Sequence, residues 1–351
     1  MSVAGIRRRR RYLAPLVLFA ACGLAMSGCQ HQAAQELSGK MGNATAVESP
    51  PNPHPSGEVL PLPEELKEVH AMDYAENVLA VQGPHHVGIG TVEQFRQNDA
   101  VILPLDNSCG TLRGSSDHQV WTLGCGNSVW SINPQEPNRV DKMPVEHSTT
   151  TAVQLSDGTI ATGSNDSQDL WLYQRGQKAR KISMDGSADS LVAVTVPGHS
   201  DALVRVNRQE TTIQDVHFAD NAQGGTLRVG LGVGQVAAGE KGLLLASDTT
   251  GNRLMIYTGD DVIRLHQSYP VDASPWAVAW DKSRNLAWIG STSANSAVGY
   301  DIRTGVPVAK AHISTLPDSR SLVVLDDGTV VAASASGHGL QVIHQPQPAD
   351  Q

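Results

Sequence analysis

One short apolar run recurs seven times along this chain, and no other feature constrains the fold as strongly. The copies are Asn77–Gly83 (NVLAVQG), Gln119–Cys125 (QVWTLGC), Gly158–Ser164 (GTIATGS), Asp201–Asn207 (DALVRVN), Gly242–Asp248 (GLLLASD), Asn285–Ser291 (NLAWIGS) and Gly328–Ser334 (GTVVAAS). Neighbouring copies stand roughly 40–43 positions apart, the period of four-stranded propeller blades. A second run follows most copies, as in SVWSIN from Ser128 and DLWLYQ from Asp169, and a third precedes several, as in SLVVLDDG ending at Gly328. The clearest unit is Pro275–Ala311, with runs at Trp276–Trp280, Leu286–Gly290, Ala297–Ile302 and Val306–Ala311. Short runs rich in Val, Ile and aromatics, bounded by Gly, Asn, Asp or Ser, are strands joined by tight turns. One such sheet cannot bury its own faces. Seven of them predict an all-β, seven-bladed β-propeller of four-stranded antiparallel blades over residues 57–346. A solenoid stack is disfavoured because no terminal unit carries a polar cap.

The last unit supplies only three runs, Ser321–Leu325, Gly328–Ala335 and Gly339–His344, ahead of a tail at 347–351. An orphan run, Glu58–Leu62, precedes the first unit. Pairing it with Gly339–His344 closes the ring and leaves no open edge at the junction. Pro61 and Pro63 are tolerable there because the outermost strand is an edge.

The stretches NLAWIGSTSANSAVGYDIRTGVPVA, from Asn285, and NRLMIYTGDDVIRLHQ, from Asn252, resemble the repeats of YVTN- and NHL-like propellers. The resemblance extends over about residues 68–345 and departs most around Glu93–Asn98 and in GHSDALVRVNRQETT from Gly198. It implies the fold well and an activity poorly, since these repeats serve binding proteins, scaffolds and enzymes alike.

Ahead of the repeats stands MSVAGIRRRRR, then the apolar Tyr12–Met26, then Ser27-Gly28-Cys29. A basic run, an apolar core and small residues before a Cys form a secretory signal over residues 1–28. The core is too short for a comfortable membrane span. Met26-Ser27-Gly28-Cys29 resembles the lipobox of bacterial, actinobacterial-type lipoproteins, which implies that Cys29 is acylated, with palmitate among the chains, and becomes the new N-terminus. Met26 departs from the Leu, Val or Ile of that motif, and Cys22 is the second candidate. Arg9-Arg10-Arg11-Tyr12-Leu13 is similar to a twin-arginine motif, so the export route stays open between that pathway and Sec. Several acyl chains on one Cys anchor stably where one is marginal. Residues 29–56 contain SPPNPHPS and read as a Pro-rich flexible stalk. The expected location is the extracytoplasmic face of the cell membrane.

Loss of residues 1–28 removes five Arg and no acid, so the formal charge moves from −9 to −14. An acidic chain without a basic stripe is no nucleic-acid binder. Beyond Cys29, only Cys109 and Cys125 remain in the exported chain, flanking a hairpin with its turn near Asp117-His118. In that register position 110 faces 125, which brings the two within one residue of cross-strand partners. A disulfide is expected, against the alternative of two free buried thiols.

No CxxC, HExxH, P-loop or GxSxG motif is present. The Gly230–Gly234 run (GLGVG) reads as turn glycines, and DTTGN from Asp248 reads as a hairpin turn, since a calcium loop needs a later Glu. In a propeller, the loops joining second to third strands and those joining blades emerge on one face, around the central channel. That face is expected to carry His85, His86, His147, Asp166, Asp248, Asn252 and His338 as ligand-binding residues, beside Asn165, Arg208, Glu210 and Asn295. Ring closure makes His338 a neighbour of His85 and His86, and three imidazoles could hold a transition metal; solvated loop histidines are the alternative. No nucleophile–base–orienter set is legible, so no catalytic residue and no cofactor is assigned. The expected role is a monomeric, membrane-anchored binding or scaffold module for an envelope protein or a small polar ligand. The alternatives are a propeller enzyme of the lactonase or lyase type with a channel metal, and an assembly subunit of an envelope complex.

Overall fold

The Pro275–Ala311 unit shows how local chemistry makes a blade. In the computed structural model, which describes residues 41–349, its strands are Pro275–Asp281, Leu286–Ser291, Ser296–Asp301 and Val308–Ser314. The first turn is closed by Asp281, which is fully buried. Its carboxylate accepts from the Ser283 hydroxyl at 2.7 Å, the Arg284 N–H at 3.0 Å and the indole of buried Trp288 at 3.3 Å. Asn285 completes the turn at φ 57°, a left-handed conformation that Asn tolerates. The outermost strand starts two residues later than the apolar pattern suggests, because Val306 is 62% exposed and sits in the turn through Gly305.

Six further sheets repeat this plan. Blade 1 is Ala71–Ala75, Val78–Gln82, His86–Gly90 and Val101–Pro104. Blade 2 is Arg113–Gly114, Trp121–Ile132 and Val140–Thr149, the long middle strand carrying both central runs with Gly126 at φ 61° between them. Blade 3 is Thr151–Gln154, Ile160–Ser164, Ser167–Tyr173 and Arg180–Ser183. Blade 4 is Ser190–Val194, Ala202–Asn207, Thr212–His217 and Ala222–Arg228, and blade 5 is Val233–Ala238, Leu243–Asp248, Arg253–Gly259 and Ile263–Pro270. The Pro275 unit is blade 6. Blade 7 takes Ser319–Val324, Val330–Ser334 and Leu340–Ile343 from the end of the chain and Glu58–Leu60 from its beginning.

That last strand closes the ring as its sequence predicts, with Glu58, Val59 and Leu60 opposite Val342, Gln341 and Leu340. It ends at Leu60 rather than Leu62, since Pro61 and Pro63 have no N–H to offer a ladder. Blade 1 reinforces the seam through its short helix Val92–Arg96, which Thr91 and Gln94 cap reciprocally. Arg96 grips the Glu58 carboxylate with Nη2 at 2.7 Å and Nε at 3.0 Å. This contact holds the Glu58 carboxyl below the usual carboxylate range.

The core lies between blades. Seven apolar clusters form, one at each blade interface; Val129, Val145 and Ala152 join blades 2 and 3, and Leu60, Leu79, Val81, Val331 and Leu340 join blade 7 to blade 1. Burying a Leu or Val side chain contributes about 1.5–3 kcal/mol, and the seven interfaces distribute that gain around the ring. Cys109 faces Cys125 directly, one residue from the expected register, and the pair is disulfide-bonded. A cross-link of this span is worth about 2–4 kcal/mol.

Two segments differ from expectation. Gln347–Pro348, placed in the tail, adds a fifth strand to blade 6 opposite His312 and Ala311. Residues 41–56, expected as flexible stalk, lie as a strap along the loops of blades 4 to 7. The Gly42 N–H donates to the Leu231 carbonyl at 3.2 Å, the Val47 N–H to Ser274 Oγ at 2.9 Å and the Ser49 N–H to Asp318 at 3.1 Å. Asn52 donates to the Thr315 carbonyl at 2.7 Å, and the Asn295 amide donates to the Pro50 carbonyl at 2.7 Å. Ala44 and Ala46 are buried. Proline-rich backbone is extended already, so ordering it costs little entropy and its carbonyls stay free to accept. Residues 1–28, with Cys29 and the first part of the stalk, lie outside the described residues.

Candidate functional site

The strap crosses the face on which the sequence places its ligand-binding residues. Asp248 does not present its side chain there: it is buried, and its Oδ1 accepts from the N–H groups of Leu231, Gly232 and Gly251 at 3.0, 3.0 and 2.9 Å. Asn252 turns the following hairpin at φ 56° and accepts from the Ser274 N–H at 3.0 Å. His338 lies beside the hydroxyls of Ser336 and Ser334, its Nδ1 at 3.1 and 3.3 Å. His85 is exposed, and His86 is half-buried in the third strand of blade 1. His147 belongs to the outermost strand of blade 2, not to a loop, and stacks on Trp171 of blade 3 at 3.5 Å between ring centroids.

Of these residues, His147 and Asp166 line one cavity of about 330 Å³ at the flank of blades 2 and 3, and Asp248 and Asn252 share one turn. His85, His86 and His338 do not gather; among the described residues no three His, Cys, Asp or Glu side chains stand where they could hold one metal ion.

The larger cavity, about 520 Å³, is the central channel. The innermost strands of blades 1, 2, 4, 5, 6 and 7 line it, so its residues recur along the chain as the repeats do. Contacts that jump over a blade occur toward its strap end. Arg208 of blade 4 reaches past blade 5 to lie 4.9 Å over the Trp276 ring of blade 6, and its Nη2 donates to the Ala44 carbonyl of the strap at 2.9 Å. Gln235 of blade 5 donates to the Arg320 carbonyl of blade 7 at 2.9 Å.

The other end opens among the turns that join first to second strands, where Glu76, Glu240, Lys282 and Asp326 are exposed. Contacts between successive blades form its rim. Trp280 donates to Glu240 at 3.2 Å, Lys282 pairs with Asp326 at 2.6 Å, and the Asp326 N–H donates to the Tyr74 hydroxyl at 3.3 Å.

Arg113 is half-buried and lines the cavity, its Nε is buried without an acceptor, and no ion pair is formed with it among the described residues. Burial pushes its pKa down, opposed by the charge of Asp73 and assisted by that of Arg208. Asp73 does not bind it, because that carboxylate is held by the N–H groups of Tyr74 at 2.7 Å and Gly114 at 3.0 Å. No pattern in the sequence marks Arg113: it sits in a two-residue strand that shows no alternation.

Ring and channel define a seven-bladed β-propeller. No family model matches the chain, and no curated protein matches it in sequence. Solved structures do resemble it. Hydrazine synthase of Kuenenia stuttgartiensis matches at TM-score 0.62 and 12% identity, over 81% of this chain and 97% of that one. Virginiamycin B lyase of Staphylococcus aureus matches at 0.61 and 11%, over 82% and 99%. The WD40 propeller domain of Doa1 matches at 0.59 and 10%, over 82% and 96%. At such identities the likeness is one of fold alone.

Proposed function

We propose that this chain is a lipid-anchored binding module of the cell envelope that captures its ligand in the central channel. The observation that carries this reading is a channel that opens among exposed turns and is lined by Arg113, a cation without an ion-pair partner among the described residues. A concave cavity with apolar walls and a few fixed polar groups is the usual form of a ligand site. The face first expected to bind is instead engaged with the strap, and its Asp248 and Asn252 serve the backbone. Acylation of Cys29 on the extracytoplasmic side supplies the membrane anchor.

Two experiments test the reading. Cys29→Ala releases the protein from membranes or leaves it unprocessed; a variant still lipid-labelled and membrane-bound like the parent overturns the anchor. For recognition, Trp280→Ala at the mouth weakens ligand capture about tenfold, as loss of an aromatic wall does, whereas His85→Ala combined with His338→Ala leaves it unchanged. The opposite pattern moves the site to the strap face.

A further inference from the structure

We infer that the channel takes a small organic monocarboxylate, its carboxylate bound by Arg113. This rests on the channel being the binding site and adds the class of its ligand. The Nε of half-buried Arg113 is a buried donor without an acceptor, which is costly for the folded chain, and an anion in the cavity that Arg113 lines offsets that cost. Among the described residues none forms an ion pair with Arg113: Nε has no partner, the oxygens of nearby Asp73 accept from two backbone N–H groups, and Arg208 adds repulsion. An anion entering the channel among the exposed turns meets Arg113 in its lining.

The mouth narrows the class. Glu76, Asp117, Glu240 and Asp326 line it against Lys282, which is already paired with Asp326 at 2.6 Å. A polyanion is repelled by that rim, whereas one negative charge on an apolar body passes it at modest cost. A planar carboxylate also matches the fork of a guanidinium through two parallel N–H···O bonds. Met72, Tyr74, Val323 and Trp280 line the cavity and offer apolar surface to the rest of the molecule.

The test titrates the full-length protein in detergent with sodium benzoate, sodium hexanoate, benzamide and inorganic phosphate. Melting temperature and tryptophan fluorescence are followed together. Both carboxylates bind saturably and raise the melting temperature, as any ligand selective for the folded state does. Arg113→Gln weakens them about tenfold or more, Arg113→Lys weakens them less, and benzamide and phosphate bind more weakly than benzoate. Arg113→Gln without ligand melts no lower than the parent, because the deleted charge has no partner to lose. Carboxylates that bind Arg113→Gln or Arg113→Lys as they bind the parent overturn the inference, and so does phosphate binding more tightly than benzoate. Benzamide binding as tightly as benzoate, with the loss on Trp280→Ala retained, overturns the carboxylate while the channel remains the site. Absence of binding by every probe overturns both.

Discussion

A chain beginning at Pro63 melts about 10 °C below one beginning at Thr45, or aggregates before it melts. The shorter chain lacks Glu58–Leu60, and blade 7 is left with three strands. Its new edge is the backbone of Leu340–Ile343, buried throughout in the closed ring. Leu60, 4% exposed, leaves the seam cluster, and a Leu→Ala change in such a setting costs about 2–5 kcal/mol by itself. Glu58 also leaves Arg96, and the Gln341 amide loses the Ser56 carbonyl at 2.7 Å. For domains somewhat smaller than this one, each kcal/mol shifts the midpoint by about 2–4 °C, which sets the size of the effect. The chain from Thr45 keeps the bonds of Val47, Ser49, Asn52 and Ser56 and loses those of Gly42, Asn43 and the Ala44 carbonyl. Scanning calorimetry at one fixed rate compares the two, since unfolding in a ring of this size proceeds irreversibly once an edge is free. Equal midpoints would show that the first strand does not close the ring.

Asp248→Ala destabilises the protein by about 3–5 kcal/mol and leaves ligand capture intact where the fold persists. The carboxylate satisfies three backbone N–H groups in the connection from blade 4 to blade 5 and in the second turn of blade 5. Removing it orphans all three in a site that is 1% exposed, and each buried donor without a partner costs about 1–3 kcal/mol. The surroundings are built to fit it: a Cβ at Gly230 would meet Oδ2 at 1.8 Å, and one at Gly251 at 1.9 Å. Asp248→Asn keeps the shape and one acceptor, so it recovers about half the loss. Chemical denaturation with an unchanged slope checks the stability term. Capture abolished in an Asp248→Asn protein of near-parent stability would return Asp248 to the ligand site.

Asp248 marks the border of what its sequence context reveals. Within DTTGN it is a polar residue in a turn, on the face where propeller loops gather. Whether its side chain points outward to a ligand or inward to backbone depends on Leu231 and Gly232, some 16 positions away. Asn252, with its bond to Ser274, raises the same question. The strap shows the limit from the other side. Residues 41–56 have no apolar period and few large side chains, so nothing in them signals packing. Their partners are carbonyls, hydroxyls and amides on loops more than 160 positions away. Arg113 was illegible for a third reason: innermost strands are short, and alternation does not say which residue meets the channel.

The sequence by itself determined the number of blades, their order and the strand that closes the ring. Each of those follows from counting runs with a period of two inside units with a period near 40, and hydrophobic burial enforces both periods. It also brought Cys109 and Cys125 together, because a hairpin register is local. Only the tertiary structure decided which face is occupied by the chain's own strap, which residues line the channel, and that Arg113 forms no ion pair there among the described residues. Those facts arise where six innermost strands and one proline-rich segment converge around an axis. Side chains brought together there are neighbours in space through ring closure, and no periodicity along the chain records their meeting.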